Sequence, residues 1–437
     1  MTSLSTEWNP RSAPGVEVAN LCSDLLKINT SNPTHDERVA AEYVAASLAE
    51  VGIESEWFEP EPGRTSIVAR LPGQDPSLRP LLLHAHLDVV PAGSEGWSVD
   101  PFGGVIKDGY VWGRGAVDMK GMVAAMLAVA RSFRLERVKP RRDIIFAFFA
   151  DEEAGGELGA GYVTRTRPDL FAGCEDAIGE VGGFSHRVST DQRAYLISTA
   201  EKGVLWARLQ ADGQSGHGSL INDNNAVSAI CEAIARIASH EFAVEPTVPV
   251  TMFLEGMADL LGMQSEPVEV LLEKLGPLAR MIKASMRDTL NPTSIDGGYK
   301  VNVVPGTASA TVDGRFLPGH EEEFERALAA LAGDRVRIEA IFSGPAVESP
   351  WDTPLIEAIR RALQRQDPTA TVLPFMGTAF TDAKWISKLG IRCYGFCPLL
   401  LPDDLDFTAL FHGVDERIPV SALQFSVAVL RNLLDEY

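Results

Sequence analysis

Carboxylate and imidazole side chains follow the ends of three predicted buried strands. His86 and Asp88 form an H-x-D pair near the end of the first strand. Glu152 and Glu153 come just after the second strand, and Glu180 directly follows the third. Because open α/β sheets bind ligands beyond the carboxyl ends of their strands, we expect these side chains to converge in one crevice.

Asp118 adds a further carboxylate to this predicted crevice. It ends the glycine-containing loop 113–117 and opens a predicted helix. So many carboxylates in one place would repel one another unless cations neutralise them. Histidine ligands combined with carboxylates favour zinc or a similar transition metal over calcium or magnesium. The sequence therefore predicts a metal-dependent site.

Each of these features, taken alone, has an ordinary structural explanation. An H-x-D pair at a strand end is usually a hydrogen-bonded surface pair, and two glutamates after a strand usually begin a solvated helix. Asp118 alone would usually be a helix N-cap. Their shared position near strand ends, in this order along the chain, makes the combination specific although no single part is.

The elements that must position these residues alternate between strands and helices. Largely apolar runs, typical of strands buried on both faces, predict strands over 80–90, 143–150 and 176–179. A helix is predicted over 119–133, between the first two. This alternation indicates an α/β fold with a mostly parallel sheet covered by helices on both sides.

Two helices are predicted at the start of the chain. Apolar residues at helical spacing predict the first over 16–28. Thr34 and Glu37 fit a capping box that begins a second helix, which continues to about Val51 and is stopped by Gly52.

The pattern changes near Ala194. Two strand–helix units are predicted there, over 198–213 with 226–239 and over 307–316 with 321–331. A helical insertion over 266–289 lies between them. We therefore predict one catalytic domain, 1–197 and 348–437, that is interrupted by an inserted α+β domain over 198–347.

The composition is that of an acidic globular protein. The chain has 39 Lys and Arg residues against 60 Asp and Glu residues, a net charge of −21. This argues against nucleic acid and anionic membrane surfaces as partners. The first fifteen residues lack a secretory apolar segment, no run is apolar enough to span a membrane, and five scattered cysteines are typical of reduced thiols. The sequence therefore predicts a cytoplasmic protein.

Several segments resemble a known family. They are 83–91 (LHAHLDVVP), 97–102 (WSVDPF), 113–121 (GRGAVDMKG), 151–153 (DEE) and 215–219 (SGHGS). These segments are similar to those of the family of aminoacylase, carboxypeptidase G, acetylornithine deacetylase and succinyl-diaminopimelate desuccinylase, over about residues 18 to 432. The resemblance implies a hydrolase that cleaves an amide bond beside a free carboxylate in a small peptide or N-acyl amino acid.

The resemblance also implies two divalent metal ions, expected to be zinc, with cobalt and manganese as alternatives. Asp118 corresponds to the aspartate that bridges the two ions. One ion would also be bound by His86 and Glu180, and the other by Glu153 and His412.

Two carboxylates next to these ligands receive roles from the same resemblance. Glu152 corresponds to the general base that activates the metal-bridging water. Asp88 corresponds to the carboxylate that orients the His86 imidazole and raises its basicity.

Three further residues lie in the predicted inserted domain, which the resemblance makes a lid and dimerisation domain. His217 corresponds to a histidine that, in dimeric relatives, reaches the partner's active site and stabilises the oxyanion, so a homodimer is expected. Asn302 and Arg315 match positions that bind the substrate carboxylate, a task to which a planar guanidinium is suited. The alternative for His217 is a loop histidine between small residues, and the alternative for Asn302 and Arg315 is a strand-end polar residue that faces solvent.

The chain departs from the family pattern in the substrate loop. Thr381 follows Ala379 and Phe380, where two glycines are usual, so the contacts of this substrate loop stay open.

A dinucleotide cofactor is disfavoured. Asp118 stands where a dinucleotide fingerprint beginning at Gly113 needs a third glycine, which argues against NAD. A non-catalytic metal-binding or amino-acid-binding protein on the same fold is the alternative function.

Overall fold

The computed structural model describes residues 14–437. The prediction that the first fifteen residues lack a secretory segment therefore falls almost entirely outside the described residues. The helices are α1 (Pro14–Leu26), α2 (Arg38–Ala49), α3 (Lys120–Leu135), α4 (Ala160–Thr166), α5 (Ala226–Ser239), α6 (Val248–Leu261), α7 (Val268–Lys274), α8 (Leu278–Ser285), α9 (Glu321–Ala332), α10 (Pro354–Gln366), α11 (Ala383–Ile386) and α12 (Val420–Glu436).

The strands fall into two main sheets and two short ladders. They are β1 (Ser55–Phe58), β2 (Ser66–Leu71), β3 (Leu81–His86), β4 (Val105–Lys107), β5 (Tyr110–Trp112), β6 (Ile144–Phe149), β7 (Asp176–Gly179), β8 (Ser185–Ser189), β9 (Gln192–Glu201), β10 (Gly203–Asp212), β11 (Gly216–His217), β12 (Thr289–Gly297), β13 (Val303–Val304), β14 (Thr307–Phe316), β15 (Arg337–Gly344), β16 (Val347–Glu348), β17 (Ala370–Gly377), β18 (Arg392–Gly395) and β19 (Arg417–Pro419).

The large sheet contains the predicted buried strands. Its order is β1-β2-β6-β3-β7-β18-β9-β16, with β8 and β17 also paired to β9. The central strands β6, β3, β7 and β18 run parallel to one another. β3 and β6 are buried along their whole length, with Leu81 and Leu83 in one core and Leu82 in the other.

Helices cover both faces of this sheet. Residues of α1, α3, α10 and α12 belong to the core on one face, and residues of α4 and α11 to the core on the other. The long apolar runs therefore form strands that are buried on both faces, as expected for a parallel sheet. The predicted α/β fold class is confirmed.

The small sheet is antiparallel, in the order β12-β14-β10-β15. Its alternating side chains bury one face under α5 and α9, whose apolar residues share one core with the strands. The predicted α+β character of this part is confirmed. The chain enters the small sheet directly from β9, with only Lys202 between β9 and β10, and it leaves through β15. The predicted boundaries at 197/198 and 347/348 fall inside β9 and β16, which both pair in the large sheet.

The helices between the two halves of the small sheet pack elsewhere. The predicted helical insertion over 266–289 consists of α7 and α8, preceded by α6. These helices share the core of the large sheet, where Phe253 of α6 and Ile282 of α8 are almost fully buried. α6 and α8 contact β17 of the large sheet, and α7 packs against both helices. The segment ends earlier than predicted, because Thr289 already begins β12.

The predicted capping box at the second helix is wrong. α2 begins at Arg38, and Glu37 occupies the N-cap position without a side-chain capping bond. The Thr34 hydroxyl donates to the Ser31 carbonyl instead. Glu37 is fully buried and pairs with Arg64, so its carboxylate is used for an ion pair across 27 residues of sequence. The predicted stop is observed as a left-handed Gly52, with φ of 73°.

No helix among residues 14–437 combines the length and apolar character required to cross a membrane. The five cysteines are all free thiols.

Candidate active site

The parallel central strands bring the predicted residues to one edge of the large sheet. His86 is the last residue of β3, and a short 3-10 turn that begins with Glu152 and Glu153 follows β6. Glu180 comes directly after β7. The loop that contains His412 follows the neighbouring strand β18. The carboxyl ends of four adjacent strands therefore supply one site.

Asp118 stands between two groups of side chains. Its Oδ1 lies 3.0 Å from His86 Nε2, and its Oδ2 lies 3.2 Å from His412 Nε2. Glu180 Oε2 is 3.4 Å from the same nitrogen of His86. Glu153 Oε2 is 3.3 Å from the same nitrogen of His412. One group is thus His86, Asp118 and Glu180, and the other is Asp118, Glu153 and His412.

Both groups fit divalent metal ions. Two ligands held about 2.0–2.2 Å from a tetrahedral zinc ion lie about 3.3–3.6 Å apart. The separations observed here, 3.0–3.4 Å, are slightly shorter. A buried oxygen of Glu153, Oε1, also lacks a hydrogen-bond partner among the described residues. Buried carboxylates without partners are costly unless a cation compensates them. The residues of the two groups could therefore hold two divalent ions that share Asp118.

Several side chains of the two groups have pKa values far from their ordinary ones. Burial raises the pKa of Glu180 to about 8. Hydrogen bonds to Asp118 and Glu153 raise the pKa of His412 to about 10. Burial alone would lower the pKa of His86, but Glu180 and the neighbouring aspartates raise it well above its ordinary value. Such crowding of charge is typical of functional sites.

Glu152 lies beside the two groups but belongs to neither. It is 5% exposed, and its Oε1 has no hydrogen-bond partner. The nearest cation is Lys384, whose Nζ lies 3.7 Å from this oxygen. Burial and the charge of Glu180 raise the pKa of Glu152 well above its ordinary value. A carboxyl group with a raised pKa suits general acid–base work.

Asp88 holds the turn that contains Glu152 and Glu153. Its carboxylate accepts the backbone N–H of Glu152 at 3.1 Å and that of Glu153 at 3.0 Å. It also accepts from the Asn32 amide at 3.0 Å. The His86 imidazole lies 3.5 Å from the Asp88 carboxylate but 3.0 Å from the Asp88 main-chain carbonyl. The side chain of Asp88 therefore contacts the turn more closely than it contacts the imidazole.

A buried ion pair connects the loop of Asp118 with the loop of His412. The Glu416 carboxylate is fully buried and accepts from Arg114 Nη1 at 2.7 Å. It also accepts the backbone N–H groups of residues 115, 117 and 118. Arg114 Nη2 in turn donates to the His412 carbonyl. This pair fixes the distance between the two loops.

A cavity of about 370 Å³ opens onto these residues. Asp118, Glu152, Glu153, Glu180 and His412 line one part of it. The other part is lined mainly by apolar side chains and by one cation, and consists of Val181, Trp206, Met281, Arg315, Ala379, Phe380 and Phe411 with Thr378 and Thr408.

Arg315 is the predicted substrate-binding residue that reaches this cavity. It lies on β14 of the small sheet, and its guanidinium donates from Nε and Nη2 to the two carboxylate oxygens of Asp313. Its Nη1 is buried and has no hydrogen-bond partner among the described residues. The guanidinium beside the cavity is therefore fixed by Asp313 and has one nitrogen that is not hydrogen-bonded.

His217 and Asn302 do not line this cavity. They lie together on an exposed ladder in which His217 of β11 pairs with Val303 of β13, and the Asn302 carbonyl accepts from Gly218. Within residues 14–437, the hydrogen bonds of the His217 imidazole are to Ser219, two residues further along the chain. Within one chain, the structure separates these two predicted residues from the other site residues.

The loop after β17 is held by a buried carboxylate. Glu201, at the end of β9, accepts from the Thr381 hydroxyl at 2.7 Å and from the Thr381 backbone N–H at 3.0 Å. This bond places Phe380 on the cavity wall. His84 is buried against Gly179, where a Cβ atom would lie 2.2 Å from the imidazole ring.

Three residues at or beside the site were not predicted: Glu416, Lys384 and Trp206. Each is placed there by contacts with residues that are distant in sequence. Glu416 follows His412 by four residues, and this spacing was its only local signal. Lys384 follows Thr381 in the substrate loop and could have been found there. Trp206 alternates with buried neighbours on β10 like any strand residue, so the sequence contains no signal for its place at the cavity.

Comparisons with known proteins find relatives of this sequence and of this fold. The family model described as Peptidase family M20/M25/M40 matches residues 82–436. The chain is 31% identical to N-fatty-acyl-amino acid synthase/hydrolase PM20D1 of Mus musculus, over 81% of this chain and 73% of the relative. It is 28% identical to Aminoacylase-1 of Homo sapiens, over 95% and 93% of the two chains. The fold is similar to that of the M20 family metallo-carboxypeptidase Sso-CP2 from Sulfolobus solfataricus, with a TM-score of 0.73, 20% identity, and coverage of 96% of this chain and 98% of the other.

Proposed function

Because the chain belongs to peptidase family M20/M25/M40, and is therefore a metallohydrolase, we propose that it cleaves an amide bond beside a free carboxylate in a dipeptide or N-acyl amino acid. The observation that carries this proposal is the cavity itself. Two groups that could each hold a metal ion share Asp118 at one end, Glu152 lies beside them, and the Arg315 guanidinium lines the same cavity. A curated relative acts, by its name, on N-fatty-acyl amino acids.

The roles of the residues follow from their positions. Two divalent ions, which we take to be zinc, would polarise the scissile carbonyl and lower the pKa of water when bound. Glu152 Oε1 accepts the proton of the attacking water and delivers it to the leaving nitrogen. Asp88 keeps Glu152 in place through the backbone of its turn. Arg315 Nη1 binds the substrate carboxylate, which selects substrates that have one.

The function is tested with purified protein, a chelator and a panel of amides. We expect turnover of N-acetyl amino acids or dipeptides, its loss after treatment with a chelator, and its return with Zn²⁺, Co²⁺ or Mn²⁺. Replacing the free carboxylate of the substrate by a carboxamide should lower kcat/KM at least about 100-fold, because Arg315 Nη1 would then lose a charged acceptor.

Arg315→Met is the variant that tests the role of the guanidinium. It should remove the discrimination between carboxylate and carboxamide substrates. Two bound metal ions per chain without turnover of any panel member would refute the proposal and favour a non-catalytic binding protein.

We propose further that the protein is a homodimer in which the small sheet serves as a lid and dimerisation domain, and in which His217 acts in the partner's cavity. His217 and Asn302 lie on an exposed ladder outside the cavity of their own chain. Large apolar side chains are exposed close to them in sequence: Ile221 is 92% exposed and Tyr299 is 82% exposed. Exposed apolar groups of this kind are typical of surfaces that associate. His217 would stabilise the oxyanion, and Asn302 would contact the substrate.

Complementation tests the role of His217 across subunits. His217→Ala and Glu152→Ala homodimers should each be inactive, whereas coexpression of the two should restore about a quarter of the wild-type activity. Half of the randomly assorted dimers are then mixed, and each mixed dimer has one complete site out of two.

The control replaces the Glu152→Ala chain with a chain that has both substitutions, and this pair should stay inactive. A fully active monomer, or mixed dimers without activity, would contradict action across subunits. A cytoplasmic location remains a prediction from the sequence.

A further inference from the structure

Three aromatic rings form a cluster beside Arg315. Trp206 comes from β10, Phe342 from β15, and Phe380 from the loop after β17. Their ring centroids are 5.3 Å (Trp206–Phe342), 5.7 Å (Trp206–Phe380) and 5.6 Å (Phe342–Phe380) apart. Aromatic pairs at such distances attract one another beyond the area that they bury. The cluster therefore joins the small sheet to the loop of the large sheet.

Two members of this cluster are walls of the cavity. Trp206 and Phe380 line it, whereas Phe342 packs behind them against Gly155, next to the turn of Glu152. A Cβ atom at Gly155 would lie 2.8 Å from the Phe342 ring. Because the backing is tight, the rings of the wall cannot move back far.

The cluster is also fixed to two cations. Lys384 Nζ lies 4.0 Å from the centroid of Phe380, and Arg315 Cζ lies 5.1 Å from the same centroid. Arg315 Cζ is also 5.9 Å from the Trp206 ring. Cations over aromatic faces at these distances are attracted by the ring. The Phe380 ring is thus held by two cations, at a position where the family resemblance leads one to expect glycine.

The distance between Arg315 and the rings determines which part of a substrate they contact. A carboxylate bound at Arg315 Nη1 would bring the atoms attached to the same carbon within reach of Phe380 and Trp206. That carbon bears the scissile nitrogen, which must face Glu152, and the side chain, which is left to face the rings. A large apolar side chain would cover the two rings, whereas a methyl group would leave them in water.

We propose that Phe380 and Trp206 select substrates whose carboxylate-bearing residue has a large apolar side chain, aromatic or branched aliphatic. This inference rests on the proposed function for the position of the carboxylate. It adds a specificity determinant contributed by a residue in which this chain departs from the family pattern.

The test separates binding from turnover. Binding of N-acetyl-L-phenylalanine and N-acetyl-L-alanine is measured by calorimetry on metal-loaded Glu152→Gln protein, and kcat/KM for both is measured on the wild type. We expect a preference of about 30-fold for the phenylalanine derivative in both measurements. Phe380→Ala should reduce this ratio at least about 10-fold, and Phe380→Leu should give an intermediate ratio.

Phe242→Ala is the matched control, because Phe242 is also partly buried and stacked, on Phe324, but lies outside the cavity. It should leave the ratio unchanged. Equal affinities of the two ligands, or an unchanged ratio in both Phe380 variants, would overturn the inference. Failure of the wild type to hydrolyse these amides and every dipeptide of the panel would instead overturn the proposed function, and the binding ratio would still decide the selectivity.

Discussion

Glu152→Gln is expected to lower kcat by about 10³-fold while both metal ions stay bound. A positioned general acid–base group contributes about 10²–10⁴-fold to a reaction rate, and glutamine keeps the shape of the side chain but cannot exchange the proton. Glu152 belongs to neither metal-binding group, so its replacement should leave the ligands intact. Metal content is measured by mass spectrometry and kcat by amide hydrolysis on the same sample.

The adjacent residue provides the control. Glu153→Gln changes the same kind of side chain one position along the turn, but Glu153 lies 3.3 Å from His412 and belongs to the second group. This variant should lose metal as well as activity. Near-normal turnover by Glu152→Gln would eliminate Glu152 as the base, and loss of metal from that variant would assign it to the ligands instead.

Glu416→Gln is expected to destabilise the fold by about 3–5 kcal/mol, because it leaves the Arg114 guanidinium buried without its counter-charge. The Glu416 carboxylate also accepts three backbone N–H groups of the loop that leads to Asp118. A loosened loop should separate Asp118 from His412 and weaken the second metal-binding group. Urea unfolding measures the stability, and titration of the apoprotein with Zn²⁺ measures the affinity.

An exposed ion pair provides the comparison for this prediction. Arg337 and Asp212 are 2.8 Å apart with both side chains largely exposed, so Asp212→Asn should change neither quantity appreciably. If Glu416→Gln unfolds at the same urea concentration as the wild type and binds metal normally, the buried pair does not hold the two loops.

The convergence of His86, Glu152, Glu153 and Glu180 could be predicted because each comes at or just after the end of a buried strand, and parallel strands end at one edge of the sheet. The division into two groups, and the place of His412, could be expected only from the family resemblance. Element bounds were accurate where one pattern dominated, as in α5 and β14, which were predicted at their observed bounds.

The rest depends on tertiary partners that a local pattern does not identify. Glu37 fits a capping box, but its carboxylate pairs with Arg64 across the fold. The apolar stripe of α6 to α8 predicts helices without indicating which sheet they cover. The pairing of β10 with β15 sets Trp206 beside Phe342, and the bond of Glu201 to Thr381 brings Phe380 against both rings. These are contacts between segments far apart in sequence.

The route of the chain through the small sheet has a consequence for folding cooperativity. Val204 near its entry and Gly344 at its exit are paired residues of adjacent strands, as in a module that a short turn could replace. However, α6 to α8 lie between those ends and fill the core beside β17. Excision of residues 203–344 would therefore remove part of the interior of the large domain together with the small sheet. Each part completes the other, and we expect the two to unfold in a single transition.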